Sequence, residues 1–209
     1  MGDVSRARGT PEPPDPREVR RAVEGRLSPD RAAHCVRVAA EAERLARVHG
    51  ADAAEARLAG LLHDWCREEP ADAILRDAQA LGVPLPRGEA QVVPAALHGP
   101  VAARLLPLRW PGLSLSVLAA IDRHTTGDPE MTDFDCLVFL ADLLEPAHDF
   151  PGIDDLRAAA ERDLRAACAE ALTRALSRLL AQGRRIDARA VAARNALLAR
   201  GAGAGSPTT

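Results

Sequence analysis

The sequence is nearly devoid of aromatic residues, with three Phe, two Trp and no Tyr among 209 residues. Lysine is missing as well, since each of the 27 basic residues is Arg, a bias to which we assign no function. A core without rings must be filled by Ala, Leu and Val, and abundant Ala and Leu favour helices over strands. The four cysteines (Cys35, Cys66, Cys136 and Cys168) form no CxxC pair. Without zinc-type spacing they read as reduced thiols of a cytosolic protein. The N-terminus lacks the apolar segment of a signal peptide, and no run of 18 apolar residues could span a membrane. The formal net charge is -3, which excludes a global pull toward nucleic acid or an anionic membrane. A cytoplasmic location and no nucleic-acid or membrane partner are expected, with the oligomeric state left open.

What the chain does have is 47% hydrophobic residues, enough for the core of one domain. Residues 1–14 and 201–209, rich in Pro, Gly and small polar residues, read as disordered tails around a domain over 15–200. Its core runs from about 28 to 164, with packing helices to 200. Caps and prolines divide the interior into helices. Asp15-Pro16 starts a helix to about Leu27, and Ser28-Pro29 starts a longer one to His49-Gly50. Asp52 caps a third, carrying Leu58, Leu61, Leu62 and Trp65 and stopping near Pro70. A fourth covers about 71–81, followed by a loop with Gly82, Pro84 and Pro86. Helices follow over about 94–106, 115–124 and 132–144, with Pro107 and Pro111 breaking the first from the second. One long amphipathic helix is expected over 153–181 and a last over 188–200. No segment alternates with period two long enough to require a strand. The fold class is therefore all-α, a single helical bundle.

Histidines and carboxylates carry the chemistry. His63-Asp64, in LAGLLHDWCRE, is the sharpest feature. Leu61 and Leu62 should bury that face, and a buried carboxylate without a partner is costly. Asp64 therefore needs a cation, a donor network or a metal. Asp142, in CLVFLADLLEP, meets the same argument. Any one of these histidines taken alone reads as a hydrogen-bonded core residue, and an HD dipeptide alone is weak. The set is stronger: His34, His63-Asp64, His98, His124 and Asp142 sit on or at the ends of five different helices. Helical bundles place metals where facing helices converge. Mixed imidazole and carboxylate ligation suits iron, manganese or zinc better than magnesium or calcium.

The order H…HD…H…H…D resembles the HD-domain metal-dependent phosphohydrolases. RAAHCVRVAAEAERLA, AGLLHDWCRE, LHGPVAARLL, the HTTG and ADLLEP strings and FPGIDDLRAAAERDL are similar to the bacterial YqeK family, from about Ser28 to Leu164. The resemblance implies symmetrical hydrolysis of diadenosine tetraphosphate to two ADP by a dinuclear-metal hydroxide, with iron as the metal pair. By position, it assigns His34, His63, Asp64 and Asp142 to the first ion, and His98 and His124 to the second. Asp64 would bridge the two. Asp64, His63 and Arg67 are the catalytic candidates. Two ions about 3.5–4 Å apart can clamp a phosphoryl group for in-line attack. Three positions depart from the family pattern: Arg67 replaces a lysine, His148 an arginine after the EP pair, and Asp128 an arginine after HTTG. The last two changes remove cations near a polyphosphate site.

Arg31, one turn before His34, is a candidate phosphate contact or else a solvated arginine. Arg67, Thr125, Thr126, Gly127 and His148 complete the substrate-binding candidates, although Gly127 could be required only for a positive φ. Arg123 and Asp122 read chiefly as solvated charges, His49 as a structural helix-end residue and Trp65 as core. Cys35 and Cys66 are not expected to be nucleophiles. Two other readings remain open at this level: an HD-type hydrolase of another nucleotide, and a non-catalytic nucleotide-binding sensor.

Overall fold

The computed structural model describes residues 11–85 and 93–203. Among them are helices and turns but no strand. Helix α1 spans Pro16–Arg26, α2 Pro29–His49, α3 Ala53–Leu62 and α4 Ala71–Ala80. A single 3₁₀ turn, Pro94–Ala96, precedes α5 (His98–Arg109). Then come α6 (Leu115–Arg123), α7 (Asp133–Leu144), α8 (Ile153–Arg162), α9 (Leu164–Ala181) and α10 (Ala188–Gly203). None is long and apolar enough to cross a membrane.

The starts follow the local chemistry. Asp15, Ser28, Asp52, Ser114 and Asp163 each accept a backbone N–H of the helix that they cap. Thr132 and Asp135 close a capping box at α7. The core is aliphatic: Leu45, Leu61, Leu62, Leu106, Leu137, Leu140 and Leu172 are among its fully buried side chains. Helix α2 packs against α3 and α7, α3 also meets α6 and α7, and α6 meets α5 and α7. Glycine brings two of these pairs close. A Cβ on Gly60 would stand 2.6 Å from the Ala39 Cα, so α3 lies backbone-to-backbone on α2. A Cβ on Gly99 would stand 2.5 Å from the Ile121 carbonyl oxygen, so the start of α5 is pressed onto the end of α6. The two tryptophans meet edge-on, Trp65 5.4 Å from Trp110, with Arg26 and Arg109 over the Trp65 ring.

Several expectations are corrected. Helix α3 ends at Leu62 rather than near Pro70, so the HD pair and Trp65 lie on turns. The His63 ring Nδ1 bonds the Gly60 carbonyl at 2.8 Å, which a continuing helix would need for the Asp64 N–H. The expected single helix over 153–181 is two. Asp163 is extended (φ -153) and caps α9 with its side chain, accepting from Arg165 and Ala166 N–H. Pro107 does not stop α5, which continues to Arg109. The stretch Pro94–Ala96 is a 3₁₀ turn rather than the first turn of that helix. At the N-terminus, residues 1–10 lie outside the described set. Glu12, placed in the tail by the sequence, lies against Gly112, whose Cβ would collide with its carbonyl. Helix α10 runs through the expected boundary at 201 to Gly203. Pro86 and the end of the C-terminal tail lie outside the described residues.

Candidate metal centre

Five elements send six side chains to one place. His34 comes from α2, His63 and Asp64 from the turns after α3, His98 from the start of α5, His124 from the end of α6, and Asp142 from α7. His63 is completely buried; His34, Asp64, His98 and His124 are less than a tenth exposed. The Asp142 side chain is 31% exposed and opens the cluster to solvent.

One local device orients three of the rings. Each Nδ1 turns back to the carbonyl three residues earlier: His63 to Gly60 (2.8 Å), His98 to Ala95 (2.9 Å) and His124 to Ile121 (2.7 Å). Helix ends leave carbonyls without intrahelical partners, so these bonds satisfy both sides. His34 places Nδ1 3.3 Å from Glu145 Oε1. All four oxygens only accept, so each Nδ1 donates its proton there, and each Nε2 presents a lone pair inward.

The lone pairs converge on carboxylates that also only accept. Asp64 stands between two halves. Its Oδ2 lies 3.8 Å from His34 Nε2 and 3.4 Å from His63 Nε2. Its Oδ1 lies 3.1 Å from His98 Nε2 and 3.7 Å from His124 Nε2. Asp142 Oδ1 is 3.0 Å from His34 Nε2 and 3.7 Å from His63 Nε2. His98 and His124 face each other, Nε2 to Nε2, at 2.9 Å. The buried Nε2 atoms of His34 and His63 have no hydrogen-bond partner. Orphaned buried acceptors of this kind are rare and costly. Triads such as His34–His63–Asp64 and Asp64–His98–His124 keep their ligand atoms within 4.8 Å of one another. Acceptors aimed at acceptors call for a cation, and nitrogen with carboxylate oxygen is a donor set for transition metals. The residues present fit such an ion.

The electrostatics agree. Burial pushes the Asp64 carboxyl up, but His63, His124 and His98 outweigh it and hold it far below the usual range. Asp142 is drawn down to about 2, with His34 outweighing its desolvation. Burial drives His98 down to about 4. His63 resists the same burial because Asp64 adjoins it, and it rises to about 9. A proton is one way to satisfy this cluster, and a metal cation is another.

The other candidates divide. Arg31 donates to Asp64 Oδ2 at 2.9 Å and thus belongs to the centre. Arg67 is exposed, and its charge helps to depress His98. Thr125 is exposed, with Oγ1 3.2 Å from His98 Nε2 and 3.0 Å from His124 Nε2. Thr126 is buried, and its hydroxyl donates to the Gly127 carbonyl. Gly127 has φ +68. His148 donates from Nδ1 to Leu143 O at 3.0 Å, and its ring lies 5.7 Å from that of His34. Arg123 and Asp122, read as solvated, are paired: Arg123 with buried Asp135 at 2.6 Å, Asp122 with Arg104 and Arg189. His49 bonds the Ala160 carbonyl as a structural residue. Burial pushes the Cys35 thiol up strongly and Cys66 to about 11, which disarms both as nucleophiles.

Glu145 was missed in the sequence. It is 1% exposed, accepts from Arg37 Nε (2.7 Å) and Nη2 (2.9 Å), and faces His34. The signal was the i, i+3 spacing of Asp142 and Glu145, matched by His34 and Arg37 across the interface.

Known proteins resemble this chain in sequence and in fold. Residues 31–147 match the family model of the HD domain. The symmetrical bis(5'-nucleosyl)-tetraphosphatase of Staphylococcus aureus is 34% identical over 142 residues, 67% of this chain and 71% of the relative. The protein of that name from Halalkalibacterium halodurans is 31% identical, covering 84% of this chain and 93% of the relative. The crystal structure of a predicted HD superfamily hydrolase involved in NAD metabolism from Clostridium acetobutylicum superposes with a TM-score of 0.83 at 30% identity. That match covers 89% of this chain and 98% of the other. A matched model over more than half of the chain, relatives above 30% identity and the clustered histidines and aspartates lead to one assignment: this chain belongs to the HD-domain family.

Proposed function

We propose that this protein is a metal-dependent phosphohydrolase that cleaves diadenosine tetraphosphate symmetrically into two ADP. The observation that carries the reading is the convergence of four imidazole rings and two carboxylates, with the buried Nε2 atoms of His34 and His63 left without a hydrogen-bond partner. His34, His63, Asp64 and Asp142 would hold one ion, His98 and His124 a second, and Asp64 would serve both. Iron is the proposed pair, and manganese or zinc suit the same donors. Ions bound there supply Lewis-acid activation of water and neutralise charge on phosphate.

The chain's own groups do the rest. Asp64 and Asp142 hold the negative charge that attracts the cations. Arg31 supplies a cation to Asp64, and a guanidinium so placed can bind a phosphate oxygen in a fork geometry. Arg67 adds an exposed positive charge beside His98. Thr125 offers an O–H at the mouth of the His98–His124 pair, and His148 lines the opposite rim beside His34. The reaction breaks the bridging P–O bond between the second and third phosphates. One ADP keeps the bridging oxygen, and the other gains the oxygen of water.

The test is a chromatographic product assay with purified protein and added iron or manganese. ADP as the sole early product is expected. Equal AMP and ATP would overturn the symmetric reading, and no turnover of any dinucleoside polyphosphate would overturn the diadenosine tetraphosphate reading in favour of another nucleotide or a non-catalytic sensor.

A further inference from the structure

Helix α10 lies outside the stretch matching the HD-domain model, yet three of its residues fall on the loop that follows His124. Arg189 donates through Nε to Asp128 at 2.9 Å and through Nη2 to Asp122 at 2.5 Å. Ala193 is fully buried under Gly127, where a Cβ would stand 2.9 Å from its methyl. Arg200 donates to the Met131 carbonyl at 3.4 Å. The resemblance drawn from the sequence implies an arginine at the position of Asp128. Its carboxylate is turned to Arg189, with Arg123 4.0 Å away. Asp122 precedes His124 by two residues, so the two side chains leave α6 on nearly opposite faces. The clamp therefore sits behind the turn, and Thr125 stands in front of it.

Resting on the hydrolase reading, we propose that Arg189 is a positioning residue for this reaction. By bridging Asp122 in the last turn of α6 to Asp128 beyond it, Arg189 fixes the turn at 124–128. That holds the Thr125 hydroxyl over the His98–His124 pair. Asp128 is then one half of an ion pair with Arg189, and the C-terminal helix completes the site.

Two readouts test this, and one needs no substrate. The Gly127 amide donates to Arg123 O and the Met131 amide to Asp128 O, so both are protected from hydrogen exchange. Arg189→Met should speed their exchange at least about tenfold. Arg189→Lys, whose single ammonium cannot span both carboxylates, should fall between and serves if the Met variant fails to fold. Asp128→Arg should speed exchange and lower kcat, and the Asp128→Arg/Arg189→Asp swap should recover both. In a Thr125→Ala background, Arg189→Met should cost little further kcat, because its effect runs through that hydroxyl. Unchanged exchange in Arg189→Met, a rise in turnover with Asp128→Arg, or full additivity with Thr125→Ala would overturn the proposal. If the wild type released no ADP, the exchange experiment would still decide whether the clamp holds the loop.

Discussion

At the scale of residues, Asp64 turns one oxygen toward each half of the centre. Asp64→Asn keeps the shape and replaces an acceptor by a donor aimed at His98 and His124 or at His34 and His63. Loss of a group that stabilises charge at a reaction centre typically slows catalysis by about 10²–10³-fold. Hydrolysis should fall at least that far, and metal per chain should fall with it while circular dichroism stays unchanged. Near-normal turnover would show that the HD pair is only a buried structural couple. Glu145 reaches the centre only through His34 Nδ1, 3.3 Å away, the place from which a carboxylate would orient that ring if it held a metal.

At the scale of elements, glycine sets how near the helices come. Gly60→Ala should destabilise the protein by about 2 kcal/mol, because the clash is with the Ala39 backbone, which cannot swing aside. Gly25→Ala in α1 meets nothing within 4 Å and should be neutral or gain up to about 0.5 kcal/mol from helix propensity. Equal effects in urea unfolding would show that α2 and α3 can separate cheaply. Most helices were legible in the sequence because caps and prolines act locally: Asp15, Ser28, Asp52 and Thr132 start helices where they stand. Asp163 was hidden because its neighbours on both sides read as one amphipathic stripe, and only its extended φ reveals the cap. The end of α3 was hidden because a histidine ring, not a breaker residue, takes the carbonyl. The six proposed ligands were legible as an ordered set. Arg189 was not, since an arginine–carboxylate pair 61 residues apart leaves no spacing to read, and Arg37 and Glu145 left only their i, i+3 spacing from His34 and Asp142.

At the scale of the whole molecule, charge ties distant elements together, and the tie between α2 and Glu145 should show in acid. Burial alone would raise the Glu145 carboxyl, but Arg37, the Ala147 N–H and His34 hold it at about 2. The folded value lies below the ordinary 4.5, so this stabilisation is complete above about pH 4.5. It is lost as pH falls toward 2. Arg37→Met, which leaves a buried carboxylate without its main cation, should cost about 2 kcal/mol at pH 7, less than for a fully buried pair because Arg37 is partly exposed. The difference from wild type should shrink as the pH approaches 2. An equal loss at both pH values would mean that Arg37 acts by packing alone.

The edge-on pair of Trp65 and Trp110 gives the molecule a built-in lamp. With no tyrosine anywhere, all tryptophan-type emission starts from this one spot, and Trp65 follows Asp64 directly in the chain. Arg26 and Arg109 stack on the same ring, so a small shift of the HD turn changes the field at the emitting ring. If Asp64 takes up a cation, a stopped-flow fluorescence trace on the unlabelled protein should therefore time its arrival without interference from tryptophans elsewhere in the chain.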